Sequence, residues 1–264
     1  MIIDAHTHLG RPGHALNGRA ADLVASMDAA GIDKALVLAG RINGISTQDV
    51  IEEIAPFKDR LYAIASVSPQ IVGHHGDLDP TVYPEELEYL FKNNIIHGLK
   101  FYPGYEPFYP ADRWLRGCLE VAQKYNRPAI FHSGDTVSTA HAARLKYALP
   151  LHIDDLAVDM PELKIILAHC SYPWQRECAE VVYKNKNVYA DISGFVYGSF
   201  KDNEVDNFRL MIEEFIRISG SDEKLLFGTD WPIGDQKSYV DVAKKILPLS
   251  SGLMHKNAQE LFGL

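Results

Sequence analysis

Five short apolar stretches of the chain end in residues that can bind a metal or move a proton. Asp4-Ala5-His6-Thr7-His8 closes the first. Gly98-Leu99-Lys100-Phe101-Tyr102, Ile130-Phe131-His132-Ser133, Leu167-Ala168-His169-Cys170 and Phe227-Gly228-Thr229-Asp230-Trp231 close four more. Ionisable groups are costly to desolvate and are rarely set at the end of a buried run without a partner. His6 and His8 are two residues apart, so on a strand both side chains leave the same face. Two imidazoles so placed suit one divalent ion. With His132 and Asp230 they make three nitrogens and one oxygen, a donor set for Zn2+ or another divalent transition metal with an open position for water. Any one of these histidines alone reads as a hydrogen-bonded core residue. Their recurrence at strand ends is what points to a metal.

Residues at strand ends meet only if the strands are parallel and their ends converge. Eight runs read as strands, at 2–9, 34–40, 61–69, 96–103, 128–134, 164–171, 188–194 and 224–232. Most lack polar alternation, as expected of parallel strands buried on both faces. Helical spacing fills 20–30, 85–94, 112–126, 207–219 and 238–247, and Gly31 is placed to cap the first of these. The longest loops fall at 10–19, 70–83, 102–110 and 195–206. Strands alternating with helices mean repeated βα units, in an open doubly wound sheet or a closed barrel. The chain has no GxxxxGK[ST] phosphate loop, no GxGxxG turn and no GxSxG elbow, which disfavours the open nucleotide-binding sheet. The reading is a single (β/α)8 TIM-barrel domain over residues 1–264, with its site at the face where the strand C-termini meet.

Composition narrows the partners. The 264 residues are 47% hydrophobic with a net charge of −9. A large core is expected, and nucleic-acid binding, which needs clustered Lys and Arg, is not. Cys118, Cys170 and Cys178 form no CxxC pair and read as reduced packing residues. No stretch approaches the ~20 apolar residues of a membrane span. The N-terminal residues lack the basic and apolar regions of a secretory signal, so a cytoplasmic location is expected. Homo-oligomerisation is left open.

With these strand ends in their order, the chain resembles the amidohydrolase superfamily. It is most similar to the amidohydrolase-related branch that includes the aminocarboxymuconate-semialdehyde decarboxylase-like enzymes. The resemblance runs from Ile3-Asp4-Ala5-His6-Thr7-His8 through His132, His169 and Gly228-Thr229-Asp230-Trp231-Pro232 to Asn257-Ala258-Gln259-Glu260-Leu261-Phe262-Gly263-Leu264. It implies a distorted TIM barrel with His6, His8, His132 and Asp230 as metal ligands. His169 would be a catalytic residue or a ligand of a second ion. In two-metal members a carbamylated lysine from the fourth strand bridges the ions, and Lys100 stands at that place. One-metal members carry a lysine nearby too, and the expectation is one ion and an unmodified Lys100 that pairs within the mouth or holds an anionic substrate.

Other mouth residues have two readings each. Arg11 and Arg41 follow the first two strands and either grip a substrate carboxylate or lie on the surface. Tyr102, Tyr105, Tyr109, Tyr172 and Trp231 either wall a pocket for a flat organic molecule or pack loops. His74 and His75 read as surface residues, with a lid as the alternative. Asp4 could orient a neighbouring group. The leading expectation is a metal-dependent hydrolase of an amide, lactone or ester, with Asp230 as the proton carrier and His169 at the developing oxyanion. The alternative is a non-oxidative decarboxylase of a small unsaturated or aromatic acid, held by the metal and an arginine. A third reading is a non-catalytic binding protein. In each case the partner is a small molecule, with carboxylate-bearing compounds among the candidates.

Overall fold

The computed structural model describes residues 1–12, 14, 16–72, 77–137, 142–246 and 252–264, with only the backbone of Arg41 and Asp77. His74 and His75 lie outside the described residues. The strands are β1 (Ile3–Thr7), β2 (Lys34–Leu38), β3 (Leu61–Ser66), β4 (Pro69–Val72), β5 (Asp77–Pro80), β6 (Leu99–Phe101), β7 (Ala129–Phe131), β8 (Ile165–Leu167), β9 (Val188–Asp191) and β10 (Leu225–Leu226). Eight of them form a parallel sheet in the order β1-β2-β3-β6-β7-β8-β9-β10. The sheet closes on itself. Ala5 N donates to Phe227 O at 2.9 Å, Asp230 N to His6 O at 2.8 Å and His8 N to Trp231 O at 2.7 Å. The fold is the expected TIM barrel, and every expected strand is present in shorter form.

The helices are α1 (Ala20–Ala30), α2 (Thr47–Ile54), α3 (Pro84–Lys92), α4 (Arg116–Lys124), α5 (His152–Asp159), α6 (Gln175–Lys184), α7 (Asp202–Ser219), α8 (Gln236–Ile246) and α9 (Asn257–Phe262). Gly31 ends α1 in the left-handed region, as its place in the sequence suggests. Two expectations change. The loop at 70–83 carries the antiparallel hairpin β4–β5 instead. Its strands are short and mix Gln, Asp and Pro with few apolar residues, so they lack a strand's pattern. Helix α7 begins at Asp202, inside the expected loop at 195–206. Its first turn is acidic, which suits a helix N-terminus but has no apolar period to announce it. No helix among the described residues is long and apolar enough to cross a membrane.

Alternation along the strands divides the core into two layers. Ala35, Val37, Leu99, Phe101, Ala129 and Phe131 face the helices. Ile3, Ala5, Leu36, Leu38, Ile64, Ile130, Ile166 and Leu226 face the barrel axis, and Ala258, Leu261 and Phe262 of α9 pack against them. One end of the interior is therefore filled with hydrocarbon. Cys118, Cys170 and Cys178 are free and buried.

The same alternation carries polar residues to the other end. Lys100 takes the inward place on β6, His132 follows Ile130 by two, and Asp191 follows Tyr189 by two. In β1, Asp4 pairs with Ala35 but Thr7 with Val37. That extra residue is a bulge, and it reverses the alternation. Ile3 and Ala5 face inward before it, and His6 and His8 after it.

Asp4 secures the seam where first and last strands meet. Its carboxylate accepts from Thr229 N (3.0 Å), Thr229 Oγ1 (2.6 Å), Gln236 Nε2 (2.8 Å) and His6 N (3.2 Å). Burial pushes its pKa up to about 6 against the pull of these donors. An Asp4→Ala variant would strand several buried donors. Each costs about 1–3 kcal/mol, and each kcal/mol lowers the melting temperature of a domain this size by roughly 2–4 °C. A thermal melt is expected to show a drop of several degrees, and an unchanged melt would mean that the seam does not depend on Asp4.

Candidate active site

His6 is completely buried, and its Nδ1–H donates to Asp191 Oδ2 at 2.8 Å. His8 Nδ1–H donates to the Leu38 carbonyl at 3.0 Å. These partners accept only, so they assign each ring its proton and leave each Nε2 as a bare lone pair. Both lone pairs point at one atom. Asp230 Oδ1 is 3.2 Å from His8 Nε2 and 3.7 Å from His6 Nε2. It is buried and has no hydrogen-bond partner. Burial holds the His6 imidazole neutral, with its pKa down at about 3, and the Lys100 ammonium nearby adds to this. Three acceptors thus converge in a buried place, and Lys100 Nζ, 3.5 Å from His6 Nε2, reaches only the edge of the group. The three atoms lie within 4.8 Å of one another. Buried acceptors turned toward one another cost free energy, Asp230 Oδ1 having no partner at all, and a divalent cation satisfies all three at once.

Asp191 works differently. Its Oδ2 takes the His6 proton, and its Oδ1 accepts from His169 N at 3.0 Å, Ser193 N at 3.1 Å and the Ser193 hydroxyl. Burial alone would raise this carboxyl, but His6, His169 and Ser193 hold it well below the ordinary carboxylate range. His6, His169 and Asp191 also lie close enough to suggest a metal group. The carboxylate there is already saturated by protein donors, so this group is a hydrogen-bond network.

His169, Cys170 and Ser171 all have positive φ, at 61°, 44° and 55°, as does Asp230 at 62°. Non-glycine residues held there are strained, and such strain gathers at functional sites. The Asp191 bond to His169 N pins the first of these turns. His169 Nδ1–H donates to Ser193 Oγ at 2.9 Å, leaving Nε2 free. His132 Nε2–H donates to the Asp135 carbonyl at 3.0 Å, leaving Nδ1 free. Burial pushes His132 well below its usual pKa, with His169 and Lys100 adding to the effect. His132 lies beside His169, with ring centres 5.3 Å apart, and stands outside the three converging atoms.

These residues floor a cavity of about 480 Å3 at the mouth of the barrel. His8, Lys100, Tyr102, His132, His169 and Asp230 all line it. Lys100 is buried, with Nζ 3.5 Å from His6 Nε2 and 5.2 Å from the Tyr102 ring centre. Burial lowers its pKa to about 8, and Asp191 and Asp230 oppose the fall. A wider groove of about 630 Å3 between Tyr172 and Arg217 holds none of the converging residues.

Some of the expected mouth residues line the cavity and others do not. Arg11 pairs with Asp49 at 2.5 Å outside the cavity, because α2 presents that carboxylate to it. Arg41 opens a short helical turn, Arg41–Asn43, after β2. Trp231 does not line the cavity; its ring packs on Gly18, where a Cβ would collide with it. Tyr109 packs edge-on against Tyr147 and His152, and Tyr172 edge-on against Phe195. Tyr105 joins Tyr102 in the cavity wall. Asp191, Ser193 and Asn43 escape the sequence reading. Asp191 carries a usable signal, since it ends the run Val188-Tyr189-Ala190 as the other site residues end theirs.

Gly194 gives the site its clearance. Its φ is 69°, and a Cβ there would lie 2.6 Å from His169 Nδ1 and 3.1 Å from Asp230 Oδ2. Gly198 has a similar φ of 71° but open space around it. A Gly194→Ala variant is expected to lose about 10²-fold in turnover, the scale of a displacement near 1 Å, while Gly198→Ala loses far less. Comparable losses in both would assign the effect to backbone strain.

Residues 3–264 match the amidohydrolase family. The chain belongs to the amidohydrolase family. No curated protein matches this amidohydrolase in sequence. Solved structures match it over nearly its whole length. A probable 2-pyrone-4,6-dicarboxylic acid hydrolase from Acinetobacter baumannii, with citric acid bound, is 18% identical with a TM-score of 0.69, covering 100% of this chain and 99% of its own. An amidohydrolase from Burkholderia multivorans with bound zinc is 14% identical with a TM-score of 0.67, covering 100% and 99%. A 2,6-dihydroxybenzoate decarboxylase from Rhizobium is 17% identical with a TM-score of 0.67, covering 99% and 98%. At these identities the likeness shows the shared barrel, while the family assignment rests on the sequence match.

Proposed function

We propose that this amidohydrolase is a metal-dependent hydrolase that cleaves an ester, lactone or amide bond of a small organic substrate. The observation that carries the reading is the unpartnered Asp230 Oδ1 facing the lone pairs of His6 and His8. His6, His8 and Asp230 would hold one Zn2+ or similar ion, with the free Nδ1 of His132 completing the set. A divalent ion there supplies Lewis acidity, which lowers the pKa of water and polarises a carbonyl.

The protein groups divide the remaining work. Asp230 lines the cavity as a carboxylate and accepts the proton of the attacking water, then returns it to the leaving group. His169, its Nδ1 proton fixed by Ser193, turns Nε2 toward the same space and, with a proton on that nitrogen, would donate to the developing oxyanion. Lys100 remains an unmodified amine that holds an anionic group of the substrate. The saturation of Asp191 supports one ion, since it leaves a single set of converging acceptors among the described residues.

The decarboxylase alternative asks for an arginine in the cavity; of the two candidates, Arg11 is paired with Asp49 outside it, and the side chain of Arg41 lies outside what is described. Incubation of the zinc-loaded protein with a mixed panel of lactones, esters, amides and unsaturated or aromatic acids separates the readings. Acid release without CO2 is expected. CO2 release from an acid would replace hydrolysis with decarboxylation, and turnover of nothing in a broad panel would favour a binding protein.

A further inference from the structure

Among the described residues, two cavity-lining side chains carry a buried polar atom with no partner. One is Asp230, whose orphaned oxygen belongs to the metal set. The other is Asn43, whose amide nitrogen is unpaired. Asn43 is 1% exposed. Its backbone is fully engaged, with N donating to Gly40 O at 2.9 Å and O accepting from Arg11 N at 3.4 Å. The side-chain nitrogen makes no hydrogen bond to that turn. A buried amide without a partner destabilises a fold, and proteins keep such groups where a ligand satisfies them. Tyr105 shows a related pattern. Its hydroxyl oxygen accepts from Val137 N at 3.0 Å, and no described residue accepts its proton. Tyr102 differs, because its hydroxyl is committed to the Ala39 carbonyl at 2.7 Å.

The rest of the wall is apolar. Leu16, Ile42, Val137, Ala143 and Ile233 line it beside the two tyrosine rings, while Lys100 and the converging acceptors form the floor. A cavity of this kind accepts a flat apolar body, and a few polar groups set its orientation.

We infer that the Asn43 amide, with the Tyr105 hydroxyl, recognises the substrate, and that the substrate is a ring-bearing ester or lactone with a second oxygen function remote from the reacting bond. This rests on the cavity being the substrate site of the proposed hydrolase. The second oxygen, a hydroxyl or carbonyl, would sit against Asn43 while the reacting bond lies over His8 and Asp230. An amide can serve either a donor or an acceptor by turning over, so a hydroxyl suits it both ways.

The test reads binding rather than turnover. Benzoate, 3-hydroxybenzoate and 4-hydroxybenzoate are titrated into zinc-loaded protein by calorimetry. At least one hydroxybenzoate is expected to bind about tenfold more tightly than benzoate, the scale of one good hydrogen bond, with the difference falling to about twofold or less in Asn43→Leu. Tyr105→Phe is expected to reduce it in part. Benzoate affinity and zinc content should hold in both variants. The melting temperature of Asn43→Leu is expected to rise, because an unpaired buried amide is removed. A wild-type protein that binds no benzoate or does not discriminate the probes overturns the inference. So does discrimination that survives Asn43→Leu, or a fall in its melting temperature, which would mark Asn43 as structural. Ester hydrolysis is read separately, so a protein that discriminates the probes but releases no acid from esters keeps Asn43 and Tyr105 as the recognising groups and loses the ester or lactone together with the proposed reaction.

Discussion

An Asp230→Asn variant is expected to keep most of its metal and lose about 10²–10⁴-fold in turnover, the range typical of a positioned general base. Asp230 sits just beyond β10 with φ at 62°, and its backbone N–H is tied to the His6 carbonyl. The amide has nearly the same shape, so the strained turn should survive. One oxygen can still face His6 and His8, although as a weaker ligand. What the amide cannot do is take a proton from water. Rate and zinc content should be measured on the same sample. Wild-type turnover would remove Asp230 from the mechanism. Loss in strict proportion to zinc would leave it a ligand only and make His169 the better base.

Replacing both His6 and His8 by alanine is expected to empty the metal site and reduce turnover to background. Both imidazoles present bare Nε2 lone pairs fixed by partners behind them, so neither can be replaced by a rotation of the other. Asp191→Asn makes a graded companion. It keeps the volume but weakens the grip on the His6 Nδ1 proton, and loss of such a supporting carboxylate typically costs 10–100-fold in metal affinity. Competition with a zinc chelator should therefore rank wild type above Asp191→Asn above the double variant. Full zinc occupancy in His6→Ala/His8→Ala would place the ion elsewhere.

Much of this was readable from spacing. Period-two alternation in buried strands places Lys100 and His132 inward, and the histidine pair leaves one face of β1 as expected. Other features depend on tertiary contacts that no local pattern encodes. The β1 bulge, which turns His6 and His8 to the axis, shows only when β1 is paired with β2. Arg11 was equally open to two readings, and the choice was made by Asp49, far along the chain on α2. Trp231 follows the site aspartate directly, yet the space left by Gly18 draws its ring away from the cavity. Asn43 has no signature at all, since an Asn-Gly pair after a strand reads first as a turn.

The seam of the barrel has a consequence for folding. β1 and the loop after β10 are joined by bonds such as Asp230 N to His6 O, between residues separated by nearly the whole described chain. Contacts so distant in sequence carry the largest loop-closure cost and are expected to form late. The histidines of the first strand and the aspartate after the last are neighbours only once that joint is made. Partly assembled barrels would then hold the parts of the site without its geometry. Reactive chemistry would be confined to molecules that have finished folding, with no separate device needed to restrain the intermediates.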